Sequence, residues 1–369
     1  MTFPLSSRFL ADTDFVPDRA VPQLVVEARK ARAFGKPLAA ALMMALARVL
    51  PRVPALFDRL EHWPGDLAAD GVVFRLNAGL HALALAGKAG ALERLYGVAA
   101  PPAMVSPDRL DAALVAVLQK HHEELLGWLA HPTQTNETLR VAGLVAALLE
   151  LEKDRAGACE VLELGASAGL NLNFPLYAVE LGDAAMCAPD SPVRLRPEWR
   201  GQALPAAPLT ITGTRGVDLH PLDVANPVDH DRLKAYVWPG ETARAARLEA
   251  AIGLAKRTPP QVEAGLASAW LVRQLAEPQP AGVRRVVFHS MVLQYAAPPE
   301  RAAIDAALAL AGATATPDRP LARVGIEWRA DRKIVEIRIA EWDGRTQSGT
   351  PRLAAVCHPY GEWIDWRGL

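Results

Sequence analysis

The sequence predicts an α/β protein in which an all-helical N-terminal domain (residues 1–130) precedes a mostly parallel sheet with an antiparallel hairpin at its C-terminus (residues 131–369). Three observations predict this fold class. Residues 1–130 show helical spacing almost throughout. Val161–Leu164 is a short apolar run, typical of a strand buried on both faces. Near the end of the chain the pattern becomes alternating, as in Ile334–Ala340. An insertion is expected around residues 177–207.

Length and composition restrict the class of protein. The 369 residues are enough for two domains, and the 51% hydrophobic and 22% charged content is that of a globular protein. A net charge of -1 predicts no dedicated nucleic-acid or membrane surface. Cys159, Cys187 and Cys357 form no paired motif, and the longest apolar run, Pro37–Leu50, contains Arg48. We expect a cytoplasmic protein, with no prediction of oligomeric state.

The stretch from Glu160 to Asn173, EVLELGASAGLNLN, is the most informative part of the sequence. Its strand breaks into Gly165-Ala166-Ser167-Ala168-Gly169, where small residues allow a tight turn and leave backbone N–H groups uncovered. An amphipathic run that predicts a helix follows. In an open α/β sheet, ligands such as nucleotides lie at this kind of position, outside the carboxyl ends of the strands.

The same stretch matches two catalytic patterns, and a plain strand-to-helix turn without a ligand is the third interpretation. As Gly-x-Ser-x-Gly it is the nucleophile elbow of an α/β-hydrolase, with Ser167 as nucleophile. Either of two acids and either of two histidines complete the required order Ser, Asp, His; they are Asp218, Asp223, His289 and His358. Against the hydrolase, the elbow of that fold follows several strands, whereas the chain ahead of the Val161–Leu164 strand is predicted to be helical, and no HGGG loop precedes Ser167.

As Glu-x-Gly-x-x-x-Gly, the stretch resembles the first motif of class I S-adenosylmethionine methyltransferases. The resemblance implies that the loop passes beneath the amino-acid end of the cofactor and that Glu163 orients the loop or the cofactor ammonium. The other residues that the resemblance places at the cofactor are Gly165, Ala166, Ser167, Gly169 and Asn171.

A second motif lies at the end of the next predicted strand, Leu209–Leu219. Gly216–Pro221 resembles the methyltransferase segment in which an acid, here Asp218, binds both ribose hydroxyls. A carboxylate suits this role because it accepts two hydrogen bonds at once. Asp218 lies about 50 residues after the glycine loop rather than the usual ~20, so the Pro-rich and Gly-rich insertion from Tyr177 to Pro205 has to account for the excess. Asp223 is the reserve candidate.

Further polar residues are candidates for the acceptor side of a site. The segment His131–Glu137 ends one helix and caps the next, which makes Asn136, Glu137 and Arg140 candidates for the ligand pocket. The fourth predicted strand, Arg285–Phe288, is followed by three such candidates, and one more follows the final hairpin; they are His289, Ser290, Tyr295 and His358. Of these candidates, His289, Ser290 and Glu137 are the catalytic ones.

No metal site is predicted. The run His121-His122-Glu123-Glu124 contains four ligand-type residues, but adjacent residues on a helix point about 100° apart, so it is interpreted as a solvated helix face.

Six blocks in order resemble the bacterial family known as domain of unknown function 2332. They are PTQTNETLR, ELGASAGLNLN, RGVDLHPLDV, YVWPGETARAARLEAAI, VFHSMVLQY and HPYGEWIDW. The family implies no established activity, and its methyltransferase-like core is an inference. One departure weakens adenine recognition: Gly265 is followed by Leu266, where an acid is expected.

The predicted function is therefore S-adenosylmethionine binding and methyl transfer to an unidentified, small-molecule acceptor. Methyl transfer depends largely on positioning the acceptor, so no general base is required. The alternatives are the hydrolase with Ser167 as nucleophile and a non-catalytic scaffold with a methyltransferase-like sheet.

Overall fold

The structure is a computed structural model of the full chain. It describes residues 19–96, 106–153, 155, 157–186, 188, 190–205, 209–344 and 349–369. Cys187, residues 206–207 of the predicted insertion, and residues 1–18 and 97–105 of the predicted helical domain lie outside the described residues. The chain divides into two compact units, residues 1–133 with 235–241, and residues 134–234 with 242–369.

The described part of the first unit contains seven α-helices and a single-turn 3-10 helix, Leu50–Arg52. The α-helices are α1 Ala20–Ala33, α2 Pro37–Val49, α3 Pro54–Glu61, α4 Val72–Leu85, α5 Gly90–Tyr96, α6 Pro107–Lys120 and α7 His122–Ala130. A proline opens α2, α3 and α6, where its missing N–H costs nothing and its fixed φ favours the helix. The chain breaks between α6 and α7 at His121, so the four residues His121–Glu124 do not lie on one continuous helix.

Among the described residues, no single helix is long and apolar enough to span a bilayer, although the pair Pro37–Arg52 and Pro54–Glu61, bent by 107°, passes by length and composition together.

The second unit is mixed α/β and is built on a nine-stranded sheet, in which most neighbouring strands are parallel. Its strands, in spatial order, are β5 Glu198–Gly201, β12 Trp363–Trp366, β11 Arg352–Cys357, β10 Val335–Trp342, β9 Leu321–Trp328, β8 Val283–Ser290, β1 Ala158–Leu164, β6 Thr210–Asp218 and β7 Val262–Ala264. The five strands from β9 to β7 are parallel to one another. The mixed α/β class and the mostly parallel sheet confirm the sequence prediction.

Helices connect and cover this sheet. They are α8 Val141–Glu152, α9 Pro227–Ala235, α10 Thr242–Arg257, α11 Ala267–Ala276 and α12 Pro298–Gly312. Every residue of α8 is buried, and its Gly143 lies so close to the sheet that a Cβ would be 2.8 Å from the Cδ1 atoms of Ile326 and Ile337.

The chain departs from the predicted pattern at two places. The glycine loop is followed by a 3-10 helix, Leu170–Leu176, because Pro175 removes an N–H donor that an α-helix would need. The C-terminal end is a run of four antiparallel strands, β9 to β12, extended by β5, rather than a closing hairpin.

The predicted insertion contributes two separate pieces. It supplies β5 at the edge of the main sheet, and a second, three-stranded sheet of β2 Ala178–Leu181, β3 Ala184–Met186 and β4 Arg194–Leu195.

The close approach of α12 to the sheet gives a test of core packing. A Cβ on Gly312 would lie 2.2 Å from Cδ1 of Trp342, which is itself buried. We expect Gly312→Ala to lower the free energy of unfolding by about 1–3 kcal/mol through overpacking. The matched control is Gly253→Ala in α10, where the nearest atom is 3.9 Å away and gain of helix propensity should stabilise by about 0.5–1 kcal/mol. Urea unfolding of both variants tests this, and changes of the same sign would contradict it.

Candidate functional site

The glycine loop turns sharply between β1 and the 3-10 helix. Gly165 and Gly169 have φ of 71° and 70°, a region that favours glycine. A Cβ on Gly165 would lie 2.2 Å from Cγ2 of Val292, and one on Gly169 would lie 2.6 Å from Cγ2 of Val262. Both contacts are with side chains of the protein, so glycine is required at these positions whether or not a ligand binds.

Four of the five backbone N–H groups of the loop, those of Gly165, Ala166, Ser167 and Gly169, have acceptors within the protein, contrary to the expectation that they are uncovered. Gly165 and Ala166 both donate to the carbonyl of Val217, at 2.8 and 3.0 Å. Ser167 donates to Oδ2 of Asp218 at 2.8 Å, and Gly169 donates to the carbonyl of Ala166 at 2.7 Å. The loop is therefore held by β6 and is not an open anion cradle.

Asp218, the last residue of β6, organises the adjoining turns. Its Oδ2 accepts from Ser167 and its Oδ1 accepts from the N–H of His220 at 2.9 Å. A carboxylate offers about four acceptor positions, so two remain for a ligand. The leucines that follow the two neighbouring strands, Leu219 and Leu266, are 58% and 53% exposed. Asp218 is thus a partly exposed carboxylate, and an exposed leucine follows its own strand and the neighbouring strand β7.

The Ser167 hydroxyl donates to Oε1 of Gln134, and the Nε2 of Gln134 in turn donates to the carbonyl of His220. Ser167 has φ of 55°, as a strained elbow would, but its side chain is buried and contacts this amide rather than a histidine. The reserve acid Asp223 accepts from the N–H of Ala225 in its own turn. These contacts give the hydrolase alternative no serine–histidine pair.

Glu163 and Asn171 form a buried pair beside the loop, with 1% and 5% of their surfaces exposed. Nδ2 of Asn171 donates to Oε1 of Glu163 at 2.9 Å. Among the described residues, Oε2 of Glu163 and Oδ1 of Asn171 are buried without any hydrogen-bond partner. Burial raises the pKa of Glu163 to about 8, and the negative charge of Asp218 adds to the rise. Two buried polar atoms without partners are costly in a folded protein, so they mark a place where a hydrogen-bonding group is missing.

Asn136 and Glu137 have roles that differ from simple capping of one helix. Oδ1 of Asn136 accepts from the N–H of Leu170, at the start of the 3-10 helix that follows the loop, at 3.1 Å. Glu137 does cap its own 3-10 helix, Thr138–Arg140, through the N–H of Leu139.

The Glu137 carboxylate also binds two arginines of α10. The Nε of Arg244 lies 2.5 Å from Oε2, and Nη2 of Arg247 lies 3.0 Å from Oε1. Burial alone would raise the pKa of Glu137, but the charges of Arg244, Arg247 and Arg140 outweigh burial and lower it. A carboxylate held ionised by arginines is a structural anchor and a poor proton donor.

The side chain of His289, on β8, belongs to a buried polar network that joins β8 and β9. Its Nδ1 lies 2.8 Å from Oε1 of Glu327, and its Nε2 accepts from Nε of Arg323 at 2.9 Å. These partners assign the proton to Nδ1. Burial lowers the pKa of His289, and Arg323 lowers it further against the opposing effect of Glu327. The imidazole is thus neutral, and both nitrogens are occupied. The next residue, Ser290, has a buried Oγ without a partner among the described residues.

The remaining candidates are Arg140, Tyr295 and His358, and Arg140 is 7% exposed. Its Nε donates to the carbonyl of Pro359 at 2.8 Å. His358 is buried and its Nδ1 accepts from the N–H of Tyr360, while Tyr295 is 41% exposed. The charge of Arg140 also acts on Tyr295 and on Glu163.

The structure therefore brings together, within the second unit, the loop, Asp218, Glu163 and Asn171, with Asn136 and Arg140 beside them. His289 and Ser290 end the adjacent strand, β8. Sequence reasoning did not single out Gln134, Arg244, Arg247 and Glu327 as site residues. The first three lie within the blocks PTQTNETLR and YVWPGETARAARLEAAI, but their contacts could not be read from these blocks, because each is defined by a partner far away in the chain. Among the described residues, no group of three or more His, Cys, Asp or Glu side chains is arranged to hold a metal ion.

Comparison with known proteins gives one match. No curated protein and no solved structure matches the chain significantly. The family model described as "Uncharacterized protein conserved in bacteria (DUF2332)" matches residues 23–366, which includes the glycine loop, Asp218 and every other candidate residue. The protein therefore belongs to the DUF2332 family of bacterial proteins.

Proposed function

We propose that the protein binds S-adenosylmethionine at the carboxyl edge of β1 and β6 and transfers its methyl group to a small-molecule acceptor. The unpartnered Oε2 of Glu163 and Oδ1 of Asn171 carry this proposal. Both are buried acceptors beside the loop, and the ammonium group of the cofactor supplies the N–H donors that they lack. The donor set therefore fits the cofactor.

The topology supports the same place. Numbered by their order in the chain, the five parallel strands read 3-2-1-4-5, which is the order of doubly wound nucleotide-binding sheets. The order reverses at β1, and ligands of such sheets lie outside the carboxyl ends of the strands at this switch point. Glu163 and the loop belong to β1 and its end, and Asp218 ends its neighbour β6.

The residues have distinct tasks in this proposal. The two free acceptor positions of Asp218 suit a ribose diol. Leu219 and Leu266 offer apolar contact to adenine. Leu266 occupies the position at which the resemblance expects an acid that contacts adenine. The cofactor supplies a methyl group on a positively charged sulfur, and the protein has to hold the acceptor in line with it. The neutral His289 accepts no further proton in its present network, so it is assigned a structural role.

The charge and the cysteines support the remaining parts of the proposal. A net charge of -1 favours a small-molecule acceptor over a nucleic acid. Cys159 and Cys357 are free, buried thiols, as is usual in a reducing cytoplasm.

Calorimetric titration with S-adenosylhomocysteine tests the proposal. We expect saturable binding by the wild type and at least about a tenfold loss in Asp218→Ala, because hydrogen bonds to a charged group contribute about 1.5–3 kcal/mol each. Asp223→Ala, an exposed acid five residues further on, is the matched control and should bind normally. Asp218→Asn keeps an acceptor for the Ser167 N–H. This variant therefore shows whether the loss of affinity in Asp218→Ala comes from a disturbed loop or from the missing contact with the ligand.

Two outcomes would go against this proposal. Absence of binding by the wild type at millimolar ligand would refute the cofactor and favour the non-catalytic scaffold. Binding that is lost in Asp223→Ala but retained in Asp218→Ala would move the ribose contact to the reserve acid. Gly165→Val is unsuitable as a test because the clash with Val292 would disrupt the loop itself.

A further inference from the structure

Arg140 has hydrogen-bonding capacity that the protein does not use. Its Nε donates to the carbonyl of Pro359. Within the described residues, its terminal nitrogens Nη1 and Nη2 form no hydrogen bond and no ion pair. They are not among the fully buried atoms without partners, so they are accessible to solvent or to a ligand although the residue as a whole is only 7% exposed. An anion that reaches these nitrogens therefore gains charge-assisted hydrogen bonds.

The surroundings of Arg140 are positively charged. Arg140, Arg244 and Arg247 act on the single carboxylate of Glu137, which leaves an excess of two positive charges in this group. Glu137 is already bound by Arg244 and Arg247, so it cannot also satisfy Arg140 without giving up another partner. The excess favours a negatively charged ligand.

Residues 359 and 360 hold two of these arginines in place. The guanidinium carbon of Arg244 lies 4.1 Å from the centre of the Tyr360 ring, and the Arg140 Nε is held by the residue before Tyr360. These contacts fix the position of the two guanidinium groups, and a fixed, planar donor pair matches the two oxygens of a carboxylate.

Arg140 and Glu163 have unused hydrogen-bonding atoms and do not pair with each other. The charge of Arg140 acts on Glu163, yet the two side chains form no ion pair. On one side, Arg140 has donors without acceptors; on the other, Glu163 and Asn171 have acceptors without donors. A ligand that has a carboxylate next to an ammonium would satisfy both sides at once.

We propose that Arg140, Glu163 and Asn171 together form a binding site for an α-amino-acid group, with the carboxylate on Arg140 and the ammonium on Glu163 and Asn171. The inference deepens the proposed function, on which it rests for its placement beside the cofactor. The amino-acid group comes from one of two sources, the methionyl end of the cofactor or an amino acid that accepts the methyl group. The chemistry of recognition is the same for both.

The experiment compares three probes by calorimetry with the full chain. S-adenosylhomocysteine has the amino-acid end, 5′-methylthioadenosine lacks it, and L-methionine is the amino acid alone. We expect Arg140→Met to bind S-adenosylhomocysteine about ten to a hundred times more weakly, with binding of 5′-methylthioadenosine unchanged. Arg140→Lys keeps the charge and loses the planar fork, so its loss should be smaller. Arg319→Met removes an exposed arginine before β9, at the opposite edge of the sheet, and is the matched control.

The outcomes separate the two sources and the two proposals. Loss of L-methionine binding alone in Arg140→Met assigns the site to an amino-acid acceptor. If the wild type binds L-methionine but neither adenosine probe, the proposed function fails and the amino-acid site stands. Equal affinity of wild type and Arg140→Met for S-adenosylhomocysteine and L-methionine overturns the site, as does the absence of binding of all three probes. Unchanged 5′-methylthioadenosine binding shows that the variant is folded; if Arg140→Met does not fold, the same comparison is decided with Arg140→Lys.

Discussion

Replacement of Glu137 by alanine should lower the free energy of unfolding by about 3–5 kcal/mol, the usual cost of removing one partner of a buried ion pair. Glu137 is 4% exposed and its carboxylate contacts both Arg244 and Arg247. Without it, three arginines repel one another in a region where solvent screens little. The variant also loses the acceptor for the Leu139 N–H. Chemical unfolding at pH 7 measures the change.

Two comparisons make this test specific. Glu198→Ala removes an exposed acid that pairs with Arg200 and should leave stability nearly unchanged. The pKa of Glu137 is lowered in the folded protein, so its contribution is present above the ordinary glutamate pKa and is lost as pH falls through the folded value. The difference between wild type and Glu137→Gln should therefore shrink in acid. A loss below about 1 kcal/mol at pH 7 would show that the cluster does not need its carboxylate.

The sequence predicts the sheet better than it predicts the contacts at the sheet's edge. Val161–Leu164 and Asp218 lie where the apolar runs place them, at the end of buried parallel strands. Such runs report burial, which local sequence reflects directly. The 3-10 helix after the loop was signalled by Pro175, but the amphipathic pattern around it favoured an α-helix.

Side-chain partners are harder to predict because they join distant parts of the chain. Glu137 and Arg244 are 107 residues apart, and Ser167 and Gln134 are 33 apart. Nothing in the spacing of either pair indicates a contact. The glycines of the loop show that even a correct local prediction does not reveal why a residue is needed. The pattern at Gly165 and Gly169 indicates a tight turn correctly, yet it cannot distinguish room for a cofactor from the contacts with Val292 and Val262 that the structure contains.

Glu163→Gln should remove a pH dependence of stability that amounts to a few kcal/mol in the wild type. The pKa of Glu163 is about 8 in the folded protein and roughly 4.3 when unfolded. Between these values, the folded state keeps a proton that the unfolded state has released. Stability from this group is thus complete below pH 4 and is lost as pH rises through 8, at about 1.4 kcal/mol per pH unit at most.

The stability test compares the unfolding free energies of wild type and Glu163→Gln from pH 5.5 to 8.5. Glutamine keeps the shape of the side chain and the acceptor for Asn171 Nδ2, but it has no proton to lose. We expect the free energy of unfolding of the variant to increase steadily relative to that of the wild type as the pH rises. Glu277→Gln, an exposed position after α11, is the control and should follow the wild type. Parallel curves for Glu163→Gln and wild type would mean that Glu163 is ionised in the folded protein at all these pH values.

If the protein binds the cofactor as proposed, the same residue couples its protonation to that binding. At pH 7 a carboxyl group with a pKa of about 8 is mostly protonated, whereas a bound ammonium favours the carboxylate. Binding of S-adenosylhomocysteine should therefore release about one proton, a consequence of linkage between ligand and pKa. Titrations in buffers of different ionisation enthalpy count this proton. Glu163→Gln should release none, and because the variant still has both Arg140 and Asp218, any remaining binding reports on the carboxylate and ribose ends alone. If Glu163→Gln still releases a proton on binding, the ammonium group of the ligand does not bind at Glu163. The proposed position of the methyl group would then be wrong as well.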